Sequence, residues 1–154
     1  MLPRTIELKI PCENGYEKVA MRAAGEIAAL AGVPPARVLD LQTAVSEACI
    51  NAMEHGNQHD LETKILVAVT LEADRLAVDV ADEGRSGPPP TDVAEPDIGA
   101  QLDGQLPIGG MGLFVIKALV DEADFVEPVL GSGNQFRMVI HLERDKSGDS
   151  EGKQ

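Results

Sequence analysis

Ser46-Glu47-Ala48-Cys49-Ile50-Asn51-Ala52-Met53-Glu54-His55-Gly56 places a carboxylate, a carboxamide and an imidazole at every fourth position. In an α-helix, residues four apart lie about one turn from each other on the same face. Glu47, Asn51 and His55 can therefore converge on a single ligand. Leu41, Val45, Ala48 and Ala52 form an apolar stripe beside them, so one face of this helix is committed to a core while its neighbour is free for chemistry. The spacing predicts a helix from near Pro35 to about His55, stopped by Gly56-Asn57.

Working outward, Thr5 to Ile10 alternates polar and apolar residues and reads as a half-buried strand ending at Pro11. Asn14 is placed to cap a second, Ala-rich helix from about Gly15 to Ala31, which Gly32 and Pro34-Pro35 terminate. Lys64 to Leu71 and Leu76 to Ala81 are Val-rich runs separated by Glu72-Ala73-Asp74-Arg75, the pattern of a hairpin. Periodicity fails from Glu83 to Ile108, a Pro- and Gly-rich stretch longer than an ordinary connection and of the kind that forms lids. Gly109-Gly110-Met111-Gly112 then opens an apolar helix from Leu113 to about Val120, with strands expected near Phe125 to Val129 and Gln135 to Leu142. The polar tail, 145–154, lacks the apolar content to fold. The expectation is an α+β fold, a single domain over 1–144 with a flexible segment at about 83–108.

The 154 residues suffice to bury a core without disulfides or metal. Aromatics are 3% and Trp is absent, so that core must rest on Ala, Val, Leu and Ile. A formal charge of −13 and a pI near 4.5 repel a phosphate backbone, which excludes direct nucleic-acid binding and favours a basic protein partner. No apolar run is long enough to span a membrane and no secretory leader is visible, so the chain reads as cytoplasmic. Cys12 and Cys49 form no CxxC pair and read as buried thiols.

Three segments carry chemistry. Mg²⁺ prefers oxygen ligands and keeps several waters, so an amide oxygen of Asn51 together with nucleotide phosphates would complete a site. Glu47, one turn away, could take the proton of an attacking hydroxyl, and His55 would shape the edge of the site. Taken alone, the triplet is equally a solvated polar helix face. Asp82-Glu83-Gly84 falls at a strand end, where a carboxylate can accept a hydrogen bond from an exocyclic amine and Gly84 lets a flat ring approach. Its bland counterpart is an Asx turn. Gly109-Gly110-Met111-Gly112-Leu113 puts unencumbered amides at a helix start, where N–H groups and the dipole favour phosphate; glycines are also ordinary loop punctuation. His55 and His59 invite a zinc reading, but Gly56 intervenes and no third ligand stands nearby. Arg85 and Lys117 could touch phosphates or simply be solvated, and His141 reads as structural. The P-loop and eukaryotic-type protein-kinase motifs are absent.

Taken in order, Glu47-x-x-x-Asn51-x-x-x-His55-Gly56, Asp82-x-Gly84 and Gly109-Gly110-Met111-Gly112-Leu113 resemble the three nucleotide-binding boxes of the GHKL ATPase superfamily. The Ser-Glu-Ala-x-x-Asn-Ala-x-x-His-Gly and Gly-Met-Gly-Leu-Phe-x-Ile wording is most similar to the anti-sigma-factor serine kinases, over roughly Thr5 to Leu142. The resemblance implies a two-layer α/β sandwich with helices on one face of a mixed, mostly antiparallel sheet, and Mg·ATP bound beneath a mobile lid. It implies Glu47 as general base, Asn51 as Mg²⁺ ligand, Asp82 as adenine partner, Gly110 and Gly112 as the phosphate-facing turn, and His55 lining the site. It also implies a sigma factor and an anti-sigma-factor antagonist as partners, a serine of the antagonist as phosphoacceptor, and commonly a homodimer. The family's late Gly-Thr element reads Gly131-Ser132-Gly133-Asn134 here, the lid carries Pro88-Pro89-Pro90, and Lys18 and Arg22 are the candidate basic partner contacts.

Two functions of different class follow. One is an ATP-dependent serine kinase and anti-sigma factor; the other is a non-catalytic module in which ATP only selects a partner-binding conformation. Glu47 favours the first, since a pure binder needs no base. A complete two-component kinase would need a phosphoacceptor or transducer domain for which the chain has no room.

Overall fold

The computed structural model describes residues 2–84 and 108–143. The lid expected at 83–108 lies outside them except at its two ends, as do Arg85 and the tail. The elements run β1 (Arg4–Pro11), α1 (Glu17–Leu30), α2 (Pro35–Asn51), a π-helical turn (Ala52–Gly56), β2 (Lys64–Leu71), β3 (Arg75–Ala81), α3 (Ile108–Leu119), β4 (Glu122–Val126) and β5 (Gln135–His141). The strands form one sheet in the order β1-β2-β3-β5-β4, and each neighbouring pair is antiparallel. This is the expected α+β architecture, with a sheet that is antiparallel throughout rather than mixed. Strand β5, last in sequence, occupies an interior position between β3 and β4.

Period-two alternation sends Ile65, Val67 and Val69 of β2, Leu76, Val78 and Val80 of β3, and Phe136, Met138 and Ile140 of β5 into one core. The three helices supply the facing layer. Helix α1 buries Ala20, Ala24, Gly25 and Ala28. These small residues let α1 lie close against α2, so close that a Cβ at Gly25 would collide with Gln42. Helix α2 contributes Leu41, Ala44, Val45, Ala48 and Cys49. Both cysteines are free and buried; burial, with the nearby Glu17 charge added, pushes the Cys49 thiol up to about 12, which leaves it protonated and unreactive. Phe125 and Phe136 meet edge to face at 5.1 Å between centroids, one of the few aromatic contacts this composition permits.

The far face of the sheet carries a buried polar knot. Asp79 Oδ1 accepts from Arg137 Nε at 2.8 Å and from Gln135 Nε2 at 3.0 Å. Gln135 Oε1 in turn accepts from the backbone N–H groups of Val129 and Leu130 at 2.9 and 3.1 Å. The loop between β4 and β5 is thereby hooked onto the sheet.

Several boundaries differ from expectation, each for a local reason. Helix α1 begins at Glu17, with Tyr16 as its N-cap rather than Asn14; Gly15 turns the chain at φ 108° and its N–H is taken by Glu17 Oε2 at 2.6 Å. Strand β4 starts and stops three residues before the expected Phe125–Val129. Pro128 has no N–H to give a ladder, and the amides that follow it go to Gln135 instead. Glycines 109, 110 and 112 lie within α3, which begins at Ile108 rather than after them.

Helix α2 keeps α-helical bonding only to Asn51; the last turn is π-helical, and Asn57 N–H reaches back five residues to Ala52 O at 2.8 Å. The chain leaves that turn through Gln58 and His59 at φ 52° and 59°, left-handed values that cost a side-chain-bearing residue about 1–2 kcal/mol. Gln58 is exposed, so Gln58→Gly loses no packing. After the entropy that glycine adds to the unfolded chain, a net gain of about 0.5–1 kcal/mol is expected, read in thermal unfolding as a rise of roughly 1–3 °C. A lower midpoint would mean that the left-handed pair is not strained.

Candidate nucleotide site

Four chain segments meet at one end of the sheet: the end of α2 with its π turn, the end of β3, the start of α3 and the start of β5. Their meeting is visible in the glycines. A Cβ on Gly112 of α3 would lie 2.7 Å from Asn51 Nδ2 and 3.1 Å from its Oδ1, so only glycine allows α3 to pass this close to the Asn51 carboxamide. Asn51 Nδ2 is buried and, among the described residues, has no hydrogen-bond partner. Orphaned buried amides are rare in folded proteins, so this one is a candidate contact for a ligand. Glu47, one turn earlier, is half-buried.

Asp82 is the second focus. It is 5% exposed, beyond the last residue of β3. Its Oδ1 accepts from Gly84 N–H at 2.9 Å and from Asn134 N–H at 3.0 Å. Its backbone is held on both sides as well: Asp82 N–H donates to Asn134 O and Gly133 N–H donates to Asp82 O, each at 3.0 Å. A Cβ at Gly56 would collide with Oδ2, one at Gly133 with Oδ1, and one at Gly84 with the Gly56 carbonyl. The carboxylate thus sits in a cradle of bare backbone, one oxygen saturated by amides and the other turned toward Gly56. Burial raises its carboxyl pKa above the ordinary value, and the two amide hydrogen bonds oppose the rise without cancelling it.

The structure brings Asn51 against Gly112, and Asp82 against Gly56 and Gly84. The backbone of Gly109, Gly110 and Met111 forms the first turn of α3, with Leu113 half-buried just beyond it. His55 stands apart, its side chain 54% exposed and Nε2 4.0 Å from Glu54. Lys18 and Arg22 are exposed one turn apart on α1. Gly133 and Asn134 were not among the expected site residues, and neither were Gly56 and Asn57, which read as a helix stop. The departure at Gly131-Ser132-Gly133-Asn134 nonetheless delivers two backbone bonds and a side-chain bond to Asp82.

The family model described as "Histidine kinase-like ATPase domain" matches residues 10–140. The chain belongs to the histidine kinase-like ATPases. It is similar to the serine-protein kinase RsbW of Bacillus subtilis, 34% identical with 76% of this chain and 74% of the relative covered. The RsbW of Bacillus velezensis is 35% identical with 92% and 88% covered. A crystal structure of the RsbU and RsbW domains of a Mycobacterium tuberculosis protein superposes with a TM-score of 0.63. That match has 21% identity and covers 92% of this chain but 33% of the other, so it speaks to the fold alone. As a histidine kinase-like ATPase this chain uses ATP, and no helix among its described residues is long and apolar enough to cross a membrane.

Proposed function

We infer that this protein is an ATP-dependent serine protein kinase that phosphorylates an anti-sigma-factor antagonist and sequesters a sigma factor in the cytoplasm. The observation that carries the reading is the orphaned Asn51 carboxamide beside Gly112, one turn from the half-buried carboxylate of Glu47. A switch that only binds nucleotide has no use for that carboxylate. The likeness to serine-protein kinases RsbW across about three quarters or more of both chains supports the same conclusion.

Each residue has a distinct task. Asp82 accepts the exocyclic amine of adenine through the oxygen its amides leave free. The glycines of its cradle keep side chains away from the plane of the purine. Asn51 is suited to Mg²⁺ through its amide oxygen, a hard ligand, which would leave Nδ2, without a partner among the described residues, to donate to a phosphate oxygen. When bound, Mg²⁺ would neutralise charge on the phosphates. The first turn of α3, with Gly109, Gly110, Met111 and Gly112, presents amide groups and the positive end of a helix dipole to the triphosphate, and Leu113 follows on its inner side. Glu47 takes the proton from the attacking serine hydroxyl. His55, more than half exposed, would stand at the edge of the nucleotide site, and the exposed Lys18 and Arg22 are the candidate contacts for partner proteins, with a homodimer as the proposed assembly.

The test is transfer of label. With Mg·ATP labelled at the γ-phosphate and a purified candidate anti-sigma-factor antagonist, phosphate is expected on a serine of the antagonist. ATP binding without any transfer would overturn the kinase in favour of a nucleotide-gated binding module.

A further inference from the structure

We infer that Asn57 is a positioning residue that wedges open the ends of β2 and β3 and so forms the purine slot around Asp82; this rests on the nucleotide reading above.

The register makes the point. In the β2–β3 ladder Leu66 faces Ala81, and the positions of facing residues sum to the same value throughout, so Lys64 and Glu83 are the pair two steps further on. In an antiparallel ladder, residues at such a position exchange N–H and C=O directly. Here they do not. Asn57 Nδ2 donates to Lys64 O at 3.0 Å, and Asn57 Oδ1 accepts from Glu83 N–H at 2.7 Å. Lys64 N–H goes to the Glu83 side chain, Oε2, at 3.1 Å. A planar amide with one donor and one acceptor edge has been inserted between two strands and bridges both ends of one rung, while the Glu83 carboxylate takes the donor of the other.

Asn57 is itself immobilised. It is 5% exposed, its N–H closes the π turn on Ala52 O, and its carbonyl accepts from Asp60 N–H at 3.0 Å. The preceding residue is Gly56, the wall that faces Asp82 Oδ2. Glu83, which Asn57 grips, lies between Asp82 and Gly84. One side chain therefore fixes both walls of the cradle, the α2 side and the β3 side, without touching a ligand. The chemistry demands Asn: Asp lacks the donor for the Lys64 carbonyl, and Gln carries the amide one carbon too far.

The test compares wild type, Asn57→Ala, Asn57→Asp and a core control, Ile140→Val, for Mg·ATP and Mg·GTP affinity, for kcat and for thermal midpoint. For Asn57→Ala the expected result is about a tenfold rise in Kd for ATP and about a tenfold narrowing of the ATP-over-GTP preference, since small displacements of a positioning group carry effects of this order. Its kcat at saturating ATP should stay within about twofold, because the base and the phosphate turn are elsewhere. Asn57→Asp keeps the acceptor for Glu83 N–H but sets a carboxylate oxygen against the Lys64 carbonyl, so it should narrow the base preference at least as much as alanine, which gives a second readout if the alanine variant does not fold. An unchanged base preference in a folded variant, or a shift no larger than that of Ile140→Val, overturns the inference. A wild-type protein that binds neither nucleotide overturns the nucleotide reading itself, and this inference with it.

Discussion

Glu47→Gln is expected to lower phosphoryl transfer to the antagonist by about 10²–10⁴-fold, the usual worth of a positioned general base, while leaving Kd for Mg·ATP within about twofold. The two effects separate because of where Glu47 stands. It lies one helical turn before Asn51, and the contacts that define the Asp82 cradle are made by Gly56, Asp82, Gly84, Gly133 and Asn134. Gln preserves shape and polarity and removes only the ability to accept a proton. Single-turnover transfer of labelled phosphate, with nucleotide affinity measured on the same sample, decides the matter. Transfer at the wild-type rate would remove Glu47 from the chemistry, and a parallel collapse of affinity would mean that it holds the nucleotide instead.

The second large effect is expected at Asp82, where affinity and stability should move in opposite directions. Asp82→Asn keeps an oxygen for the amides of Gly84 and Asn134 but turns the other acceptor into a donor. Loss of a charged acceptor is worth about 1.5–3 kcal/mol, so ATP should bind roughly 10- to 100-fold more weakly. The same change removes a buried charge. Because burial raises the folded-state carboxyl pKa above its ordinary 3.8, the stability this group contributes is present below the ordinary value and is lost as pH rises through the raised one. At neutral pH the wild type therefore carries a penalty that Asn does not, and the variant should melt higher. The gap should close as pH falls toward 3.8. Over the same window wild-type ATP affinity should decline while that of the variant stays flat. A variant less stable than wild type at neutral pH would show that the amide cradle, not burial, governs this carboxylate.

Much of this was legible in the residues themselves. Strands β2, β3 and β5 follow from Val- and Ile-rich runs whose alternate members all enter the core, and the hairpin ends where Glu72 pairs with Arg75 at 2.6 Å. The apolar stripe of α2 gave Leu41, Val45 and Ala48 of its buried face, whereas Ala44 is buried outside that stripe and Ala52 is half-buried in the π turn. What stayed hidden is non-local. The π turn has no compositional signature, because Ala-Met-Glu-His-Gly suits an α-helix equally well until Asn57 is tied to β2 and β3. Gly133 and Asn134 are 51 and 52 positions from Asp82, and a Gly-Ser-Gly-Asn tetrapeptide carries every mark of a plain turn. Asn57 reads as a helix stop for the same reason, since nothing within a window of a few residues reveals a side chain that takes the place of a strand partner.

The grip of Asn134 on Asp82, together with the interior place of β5, sets an order of events during synthesis. A nascent chain that has emerged only as far as α3 already holds Glu47, Asn51 and every glycine of the first boxes, yet its third strand ends in an unsupported acid with no wall behind it. On the nucleotide reading, competence for the purine is expected only once the final strand is in place. A product that terminates before β5 is expected to take up no ATP.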